Sequence, residues 1–406
     1  MRQTTGLTST YSSDEFGICS ALYELGGMVV MHDASGCNST YTTHDEPRWY
    51  DMDSMIFISA ISEMEAIMGD DGKFINDLTE TALELKPEFI ALVGAPIPYM
   101  IGTDLDAIAA IVSERTGIPG FAFPANGMHD YTRGVSMALE RIADRYAAEG
   151  GMHNPDWDRE KRAAADDEIT VNIIGATPLD FSLNGSVDSI LQWVEDSGMK
   201  AGVCLAMGCT LEEIRRMGTA SVNLVVSSGG MAAAKLLRKR FGTPYVAGVP
   251  FGKKYAAHLA ERVRETAASG MREFSDHMIS FCGGGSESSI GKRRTLSVIG
   301  EPVLSVSLAK AIEMECGIGT RVLCPLETGT ELLRACDVRT PEEDDLIREI
   351  RHSDGVIADP LYRPLAGEKT FYPLPHEAFS GRIYDSVNPD LILRALCAEQ
   401  SVVSSR

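Results

Sequence analysis

Two cysteines and two histidines crowd one stretch near the N-terminus: Cys19, His32, Cys37 and His44. Thiolate and imidazole are the ligand types that zinc takes, and four of them could close a tetrahedral site. The stretch reads CSALYELGGMVVMHDASGCNSTYTTHDEPRW from Cys19 to Trp49. Met28 to Met31 reads as a short strand. His32-Asp33-Ala34-Ser35-Gly36-Cys37 then makes a turn, with Cys37 starting a helix. A thiolate at a helix N-terminus is stabilised by the dipole, which suits metal ligation. Spacing alone leaves the plainer reading open, in which both cysteines are small buried hydrophobes. His44-Asp45-Glu46-Pro47-Arg48 reads as a loop of local ion pairs beside Cys37. Cys204 and Cys209 flank a turn, and Cys316, Cys324 and Cys336 lie without close pairing, so structural roles are expected for all five.

Glycines at strand ends raise nucleotide binding as a second chemistry. A phosphate loop needs GxxxxGK followed by Ser or Thr. Gly285 and Gly291 are one residue too far apart, and Lys292 is followed by Arg293. Gly248-Val249-Pro250-Phe251-Gly252-Lys253 also fails on spacing, and no GxGxxG follows a strand. Neither ATP nor NAD is expected to bind by these devices.

Composition narrows the class further. The chain has 406 residues, 37 basic and 58 acidic, for a net charge of −21. Such a surface disfavours nucleic acid as main partner. No apolar run approaches the roughly 18 residues of a membrane span, and the first residues lack the apolar core of an export signal. A cytoplasmic protein is expected. Nine scattered cysteines then argue against a disulfide framework.

The framework around these residues is an alternation. Phe89 to Val93, Val171 to Ile174, Val222 to Val226, Thr295 to Ile299 and Gly355 to Ala358 are apolar, strand-like runs. Helical stretches separate them, such as Met231 to Phe241. This pattern predicts an α/β fold of parallel sheets covered on both faces. Gly150-Gly151 and the run Cys282 to Ser286 mark breaks. They divide the chain into three Rossmann-like domains: 1–165 carrying the cysteine loop, 166–290, and 291–406 with a C-terminal tail returning to the first. In such sheets ligands bind outside the carboxyl ends of strands. That points to Gly94 to Tyr99, Ser227 to Gly230 and the region of His376, with Cys209 and Cys282 on neighbouring loops.

Several segments, in order, resemble the nitrogenase component 1 superfamily. That group includes nitrogenase itself, its cofactor-assembly scaffold, dark-operative protochlorophyllide reductase and a reductive cyclase acting on a nickel tetrapyrrole. His32 to Cys37 is similar to the family's HGPxGC cluster loop, with Asp33 and Ala34 in place of Gly and Pro. Ser62 to Gly69 resembles the E-x-x-I-x-G segment that follows. Ile101-Gly102-Thr103-Asp104 resembles the IGDD turn, and Ser221 to Gly252 a strand-helix-strand unit. His376 to Gly381 resembles the C-terminal His…SG element.

The resemblance implies a three-domain α/β fold, a shared [4Fe–4S] cluster, and an ATP-dependent, iron-protein-like reductase as electron donor. It also shows departures. Pro96 occupies the position of a third cluster cysteine. In the family's register the first cysteine falls at Ser12, whereas Cys19 lies seven residues later, about two helical turns or ~10 Å along. Ser227 stands where nitrogenase anchors its cofactor by a cysteine, and His376 near the matching histidine. A true nitrogenase is therefore not expected. Such a cluster takes four ligands, and Cys19 and Cys37 supply two per chain. A homodimer with the twofold axis through the cluster would supply four. The implied function is the catalytic component of a two-component reductase, with Ser227 and His376 facing the substrate. The alternative is a non-catalytic scaffold or carrier for a metal cluster or chelate. A zinc hydrolase using His32, Cys37 and His44 is a third reading.

Overall fold

The computed structural model describes residues 7, 9, 13–41, 46–147, 168–269, 295–381 and 389–404. Ser12, His44 and Cys282, and the breaks at 150–151 and 282–286, lie outside these residues. Three wholly parallel sheets form, as the alternation of apolar runs and helices predicts.

The first sheet has strands β1 (Met28–Met31), β2 (Met55–Ile58), β3 (Ile90–Val93) and β4 (Gly120–Phe123). The second has β5 (Thr170–Ile174), β6 (Lys200–Cys204), β7 (Val222–Val225) and β8 (Tyr245–Ala247). The third has β9 (Thr295–Ile299), β10 (Gly319–Cys324), β11 (Val338–Arg339), β12 (Gly355–Ala358) and β13 (Thr370–Pro373). The strand orders are β2-β1-β3-β4, β6-β5-β7-β8 and β11-β10-β9-β12-β13. In each sheet the chain leaves the founding strand to one side and later returns to its other side. That makes a topological switch point between β1 and β3, between β5 and β7, and between β9 and β12. Crevices open at the carboxyl ends there.

The strands are apolar on both faces because helices cover both. β1, β3 and β12 are buried along their whole length. One core runs through all three sheets, with a smaller one under the outer face of the first.

Two glycines set a contact near the first switch point. The helix Asp14–Leu22 crosses the helix Tyr131–Tyr146 at backbone distance. A Cβ on Gly17 would stand 2.0 Å from the Tyr131 carbonyl oxygen, and one on Gly134 would stand 1.9 Å from that of Asp14. Any side chain there would force the helices apart.

Polar ties join the segments around the three sheets. Arg48 is almost wholly buried and pairs with Glu46 at 2.6 Å and Glu24 at 2.8 Å. Its Nη1 also donates at 3.2 Å to the carbonyl of Ala206, which follows β6 of the second sheet. A guanidinium in so little water needs several acceptors at once, and these carboxylates and carbonyls supply them. Between the segments that follow β4 and β10, Asp130 accepts from the Glu327 backbone N–H at 2.5 Å.

One expectation is corrected. Cys316 and Cys397 form a disulfide, with Cα atoms 4.9 Å apart and a separation of 81 positions in sequence. Cys316 ends the helix Pro302–Cys316 and Cys397 lies on Pro389–Ser404. The two helices pack side by side, a juxtaposition that spacing along the chain does not reveal. Among the described residues no helix is long and apolar enough to cross a membrane.

Candidate functional site

The switch points of the second and third sheets face a shared cavity of about 610 Å³. Its polar wall is built from three acids, each following an apolar strand. After β5 the chain turns at Gly175, where φ is +97°, and runs through the short helix Pro178–Phe181, which carries Asp180. After β9, Glu301 caps the helix Pro302–Cys316, accepting the Leu304 N–H at 2.8 Å. After β12, Asp359 precedes Pro360. Proline at the first helical position and an acid just before it is a strong helix start. The same sequence feature therefore delivers both the fold and the buried carboxylates.

His376 hangs between them. Its backbone N–H donates to Asp359 Oδ2 at 2.7 Å, and the Ser380 hydroxyl donates to the same oxygen at 2.7 Å. Its Nε2 lies 3.1 Å from Asp180 Oδ1, and the Tyr131 hydroxyl donates to that same oxygen at 2.5 Å. A carboxylate only accepts, so Nε2 carries a proton. Phe379 packs on the imidazole with ring centres 4.7 Å apart. Asp180 Oδ2 and His376 Nδ1 are buried and make no hydrogen bond. A fixed imidazole with a free ring nitrogen beside a carboxylate can hold or move a proton at a bound substrate.

Glu301 is the second acid. The Ser228 N–H donates to its Oε1 at 2.6 Å. Burial, and then the charge of Asp180, pushes its carboxyl up to about 8. The unfolded value is near 4.5, so the folded state favours the neutral acid. Its contribution to stability is full below about pH 4.5 and is lost as pH rises through about 8. We expect wild type to lose stability from this group as pH rises from about 5 to about 9. Glu301→Gln should be less stable at about pH 5, where its amide cannot accept both backbone N–H groups, but its stability should fall much less with pH. Urea midpoints at the two pH values check this, and an unchanged slope refutes it.

His376 lines the cavity. Ser227 is fully buried, its hydroxyl donating to the Gly175 carbonyl at 2.7 Å. It supports the turn behind Glu301 and is not among the residues that line the cavity. Nor do Gly94 to Tyr99 line it. Asp180, Glu301, Asp359 and Tyr131 were not singled out by sequence, although an acid at the end of an apolar strand, twice just before proline, is a readable signal.

The other candidates lie around the first sheet. Cys37 starts a short helix, Cys37–Thr40, as expected, after Ser35 and Gly36 at φ +84° and +80°. His32 is buried, stacked on Phe74 at 4.1 Å and bonded through Nδ1 to the Ser59 hydroxyl at 2.8 Å. Burial lowers its pKa to about 4, so it stays neutral. Cys19 has no exposed surface, and burial, with Glu15 and Glu46 nearby, pushes its thiol far up. Pro96 opens the helix Pro96–Ile101. Its ring and the Glu15 carboxylate both border Gly127, where an added Cβ would meet them at 2.8 and 3.0 Å. Burial raises Glu15 to about 7.

Cys19 and His32 are not brought into one donor set. Among the described residues no group of three or more His, Cys, Asp or Glu side chains could hold a metal. The described residues of one chain therefore do not by themselves fit a four-ligand cluster: Pro96 has no donor atom and Cys19 is enclosed. Cys204, Cys209 and Cys324 are buried, and their thiols are raised chiefly by burial.

Comparisons with known proteins agree with this architecture. The model of the nitrogenase component 1 type oxidoreductase family matches residues 21–331. The nitrogenase iron-molybdenum cofactor biosynthesis protein NifE of Clostridium pasteurianum is 24% identical over 199 residues, 47% of this chain and 38% of that protein. NifE of Rippkaea orientalis is 21% identical over 350 residues, covering 81% and 67%. A light-independent protochlorophyllide reductase polypeptide of Nostoc punctiforme is 30% identical over 97 residues, covering 24% and 19%. The matched regions thus span only 38% of the Clostridium protein and 19% of the Nostoc one. The solved structure of nitrogenase Cp1 at pH 6.5 superposes with a TM-score of 0.66 at 16% identity, covering 100% of this chain and 94% of that one. Three parallel sheets in this order, an acid-lined crevice between the last two, and a family match over most of the chain lead to one conclusion: the chain belongs to the nitrogenase component 1 type oxidoreductases.

Proposed function

We propose that this chain is the catalytic component of a two-component reductase, acting on a small molecule bound between its second and third domains. The observation that carries the reading is the His376–Asp180–Tyr131 array beside Glu301, which places proton-holding groups around one cavity. Reduction of an organic substrate consumes protons with electrons, and this array has them at hand. His376 is the proposed proton donor: its bare Nδ1 takes up a proton and passes it to the substrate. Asp180 and Tyr131 position the ring, and Ser227 supports the turn that holds Glu301 in place.

Electrons come from outside the chain. An ATP-dependent iron-sulfur protein, of the iron-protein type the family resemblance implies, is the proposed donor, and a [4Fe–4S] cluster at the interface of a homodimer supplies single electrons when bound. Cys37 and Cys19 are the proposed ligands from each chain. Cys37 sits on a loop whose Gly36 is exposed. Cys19 would have to give up its place in the core. A patch beside this loop suits a docking partner. Met64, Ile67 and Met68 on the helix Glu63–Met68 and Tyr99 and Met100 on Pro96–Ile101 are each more than 60% exposed. So many adjacent apolar side chains in water mark an interaction surface.

The test is anaerobic purification followed by iron and acid-labile sulfide analysis, then reduction assays with and without an iron protein and ATP. Iron near four per dimer with ATP-dependent turnover is expected. The second reading, a carrier for a metal cluster, is favoured by the names of the NifE relatives. It predicts metal binding without turnover. Iron absent from the anaerobic protein overturns both.

A further inference from the structure

We infer that the cavity between the second and third domains takes a cationic ligand, a small organic molecule that presents a protonated nitrogen to Asp180. This inference rests on the reading of that cavity as the substrate site, and adds the chemical class.

Three observations meet. The first is Asp180 itself. Its side chain is 1% exposed, Oδ1 is taken by Tyr131 and His376, and Oδ2 has no hydrogen-bond partner. A carboxylate oxygen stripped of water and left unpaired is costly. Asp180 lines the cavity; a donor bound there that draws Oδ2 toward itself removes that cost, and an ammonium or amidinium group does so with a charge-assisted bond.

The second is the balance of the wall. Asp180, Glu301, Asp359, Glu377 and Asp390 all line the cavity, and no Lys or Arg does so among the described residues. An anionic ligand would shed its water against carboxylates, with no basic side chain among the described lining residues to meet it. A cation meets Asp180 at once. Three of the remaining acids are occupied or neutral. Asp359 is bonded to His376 and Ser380, Asp390 accepts the Gly252 N–H at 2.9 Å, and Glu301 holds two backbone N–H groups.

The third is His376. Its Nε2 donates to Asp180, which leaves Nδ1 as an acceptor with no partner. Two unpaired acceptors stand on residues of one wall. They call for a ligand rich in N–H donors. Apolar residues, among them Phe181, Phe251, Leu304 and Phe379, complete the lining. A cavity of about 610 Å³ with such walls suits an organic cation of drug-like size with an apolar body.

The experiment uses the full chain and two probes of matched shape and opposite charge, tryptamine and indole-3-propionate, titrated calorimetrically at about pH 7. Tryptamine is expected to bind at least ten times more tightly. Asp180→Asn keeps the volume and the acceptor for Tyr131 but removes the charge, and should weaken tryptamine at least tenfold with little effect on the carboxylate. Equal affinities, tighter binding of indole-3-propionate, binding of neither, or an unchanged tryptamine affinity in Asp180→Asn each overturns the inference. The wild-type comparison decides the matter even if the variant fails to fold. No iron, electron donor or turnover enters the measurement, so failure of the reductase reading leaves it standing or falling on its own.

Discussion

His376→Ala is expected to lower turnover by roughly two to four orders of magnitude, the usual worth of a positioned proton donor. The side chain reaches the cavity from a loop held by Asp359, and its imidazole is oriented by Asp180 at 3.1 Å. Removing it leaves the acids but no imidazole in the cavity wall. The iron content and its electron paramagnetic resonance signal should not change, because the proposed cluster ligands lie in the first domain. His376→Gln keeps a donor to Asp180 and so should fold as wild type while remaining slow. Full activity in either variant removes His376 from the chemistry. Loss of the iron signal along with activity shows instead that the substitution damages the fold.

Cys37→Ala is the other large effect. If Cys37 binds iron at a subunit interface, the variant should lose the brown colour and all acid-labile sulfide. Circular dichroism should stay that of an α/β protein, because the helix that Cys37 opens is a single turn. Retention of four irons per dimer refutes the assignment. Cys19→Ala separates two roles for that residue. As a ligand, its loss abolishes iron binding. As a core residue it shrinks a buried side chain by one sulfur, which costs ~1 kcal/mol and leaves iron unchanged. Cys19 is fully buried in this structure, so ligation requires it to leave the core.

Much of the architecture is legible in the chain. Val171 to Ile174 and Thr295 to Ile299 are largely apolar without strict alternation, which a sheet covered on both faces accommodates. The α/β class and the parallel sheets follow from that local pattern, since burial on two faces is written into each strand separately. The turn from His32 to Cys37 and the helix start at Cys37 are equally local, set by a glycine free to adopt positive φ and by the end of a strand. What stayed hidden depends on which distant segments meet. Asp180 and His376 are 196 residues apart, and Asp180 alone reads as an ordinary helix-start acid. Its unpaired oxygen exists only because segments distant in sequence, among them those of Tyr131 and His376, close around it and exclude water. Cys316 and Cys397 likewise pair because two helices lie side by side. Ser227 and Cys19, polar or sulfur-bearing residues near motifs that promise chemistry, are both fully buried. Preferences acting over a few residues are enough to settle which strands form and which of their ends carry acids. Which acids share a cavity, and which thiols are enclosed, is settled by packing, because burial and proximity are properties of the assembled whole.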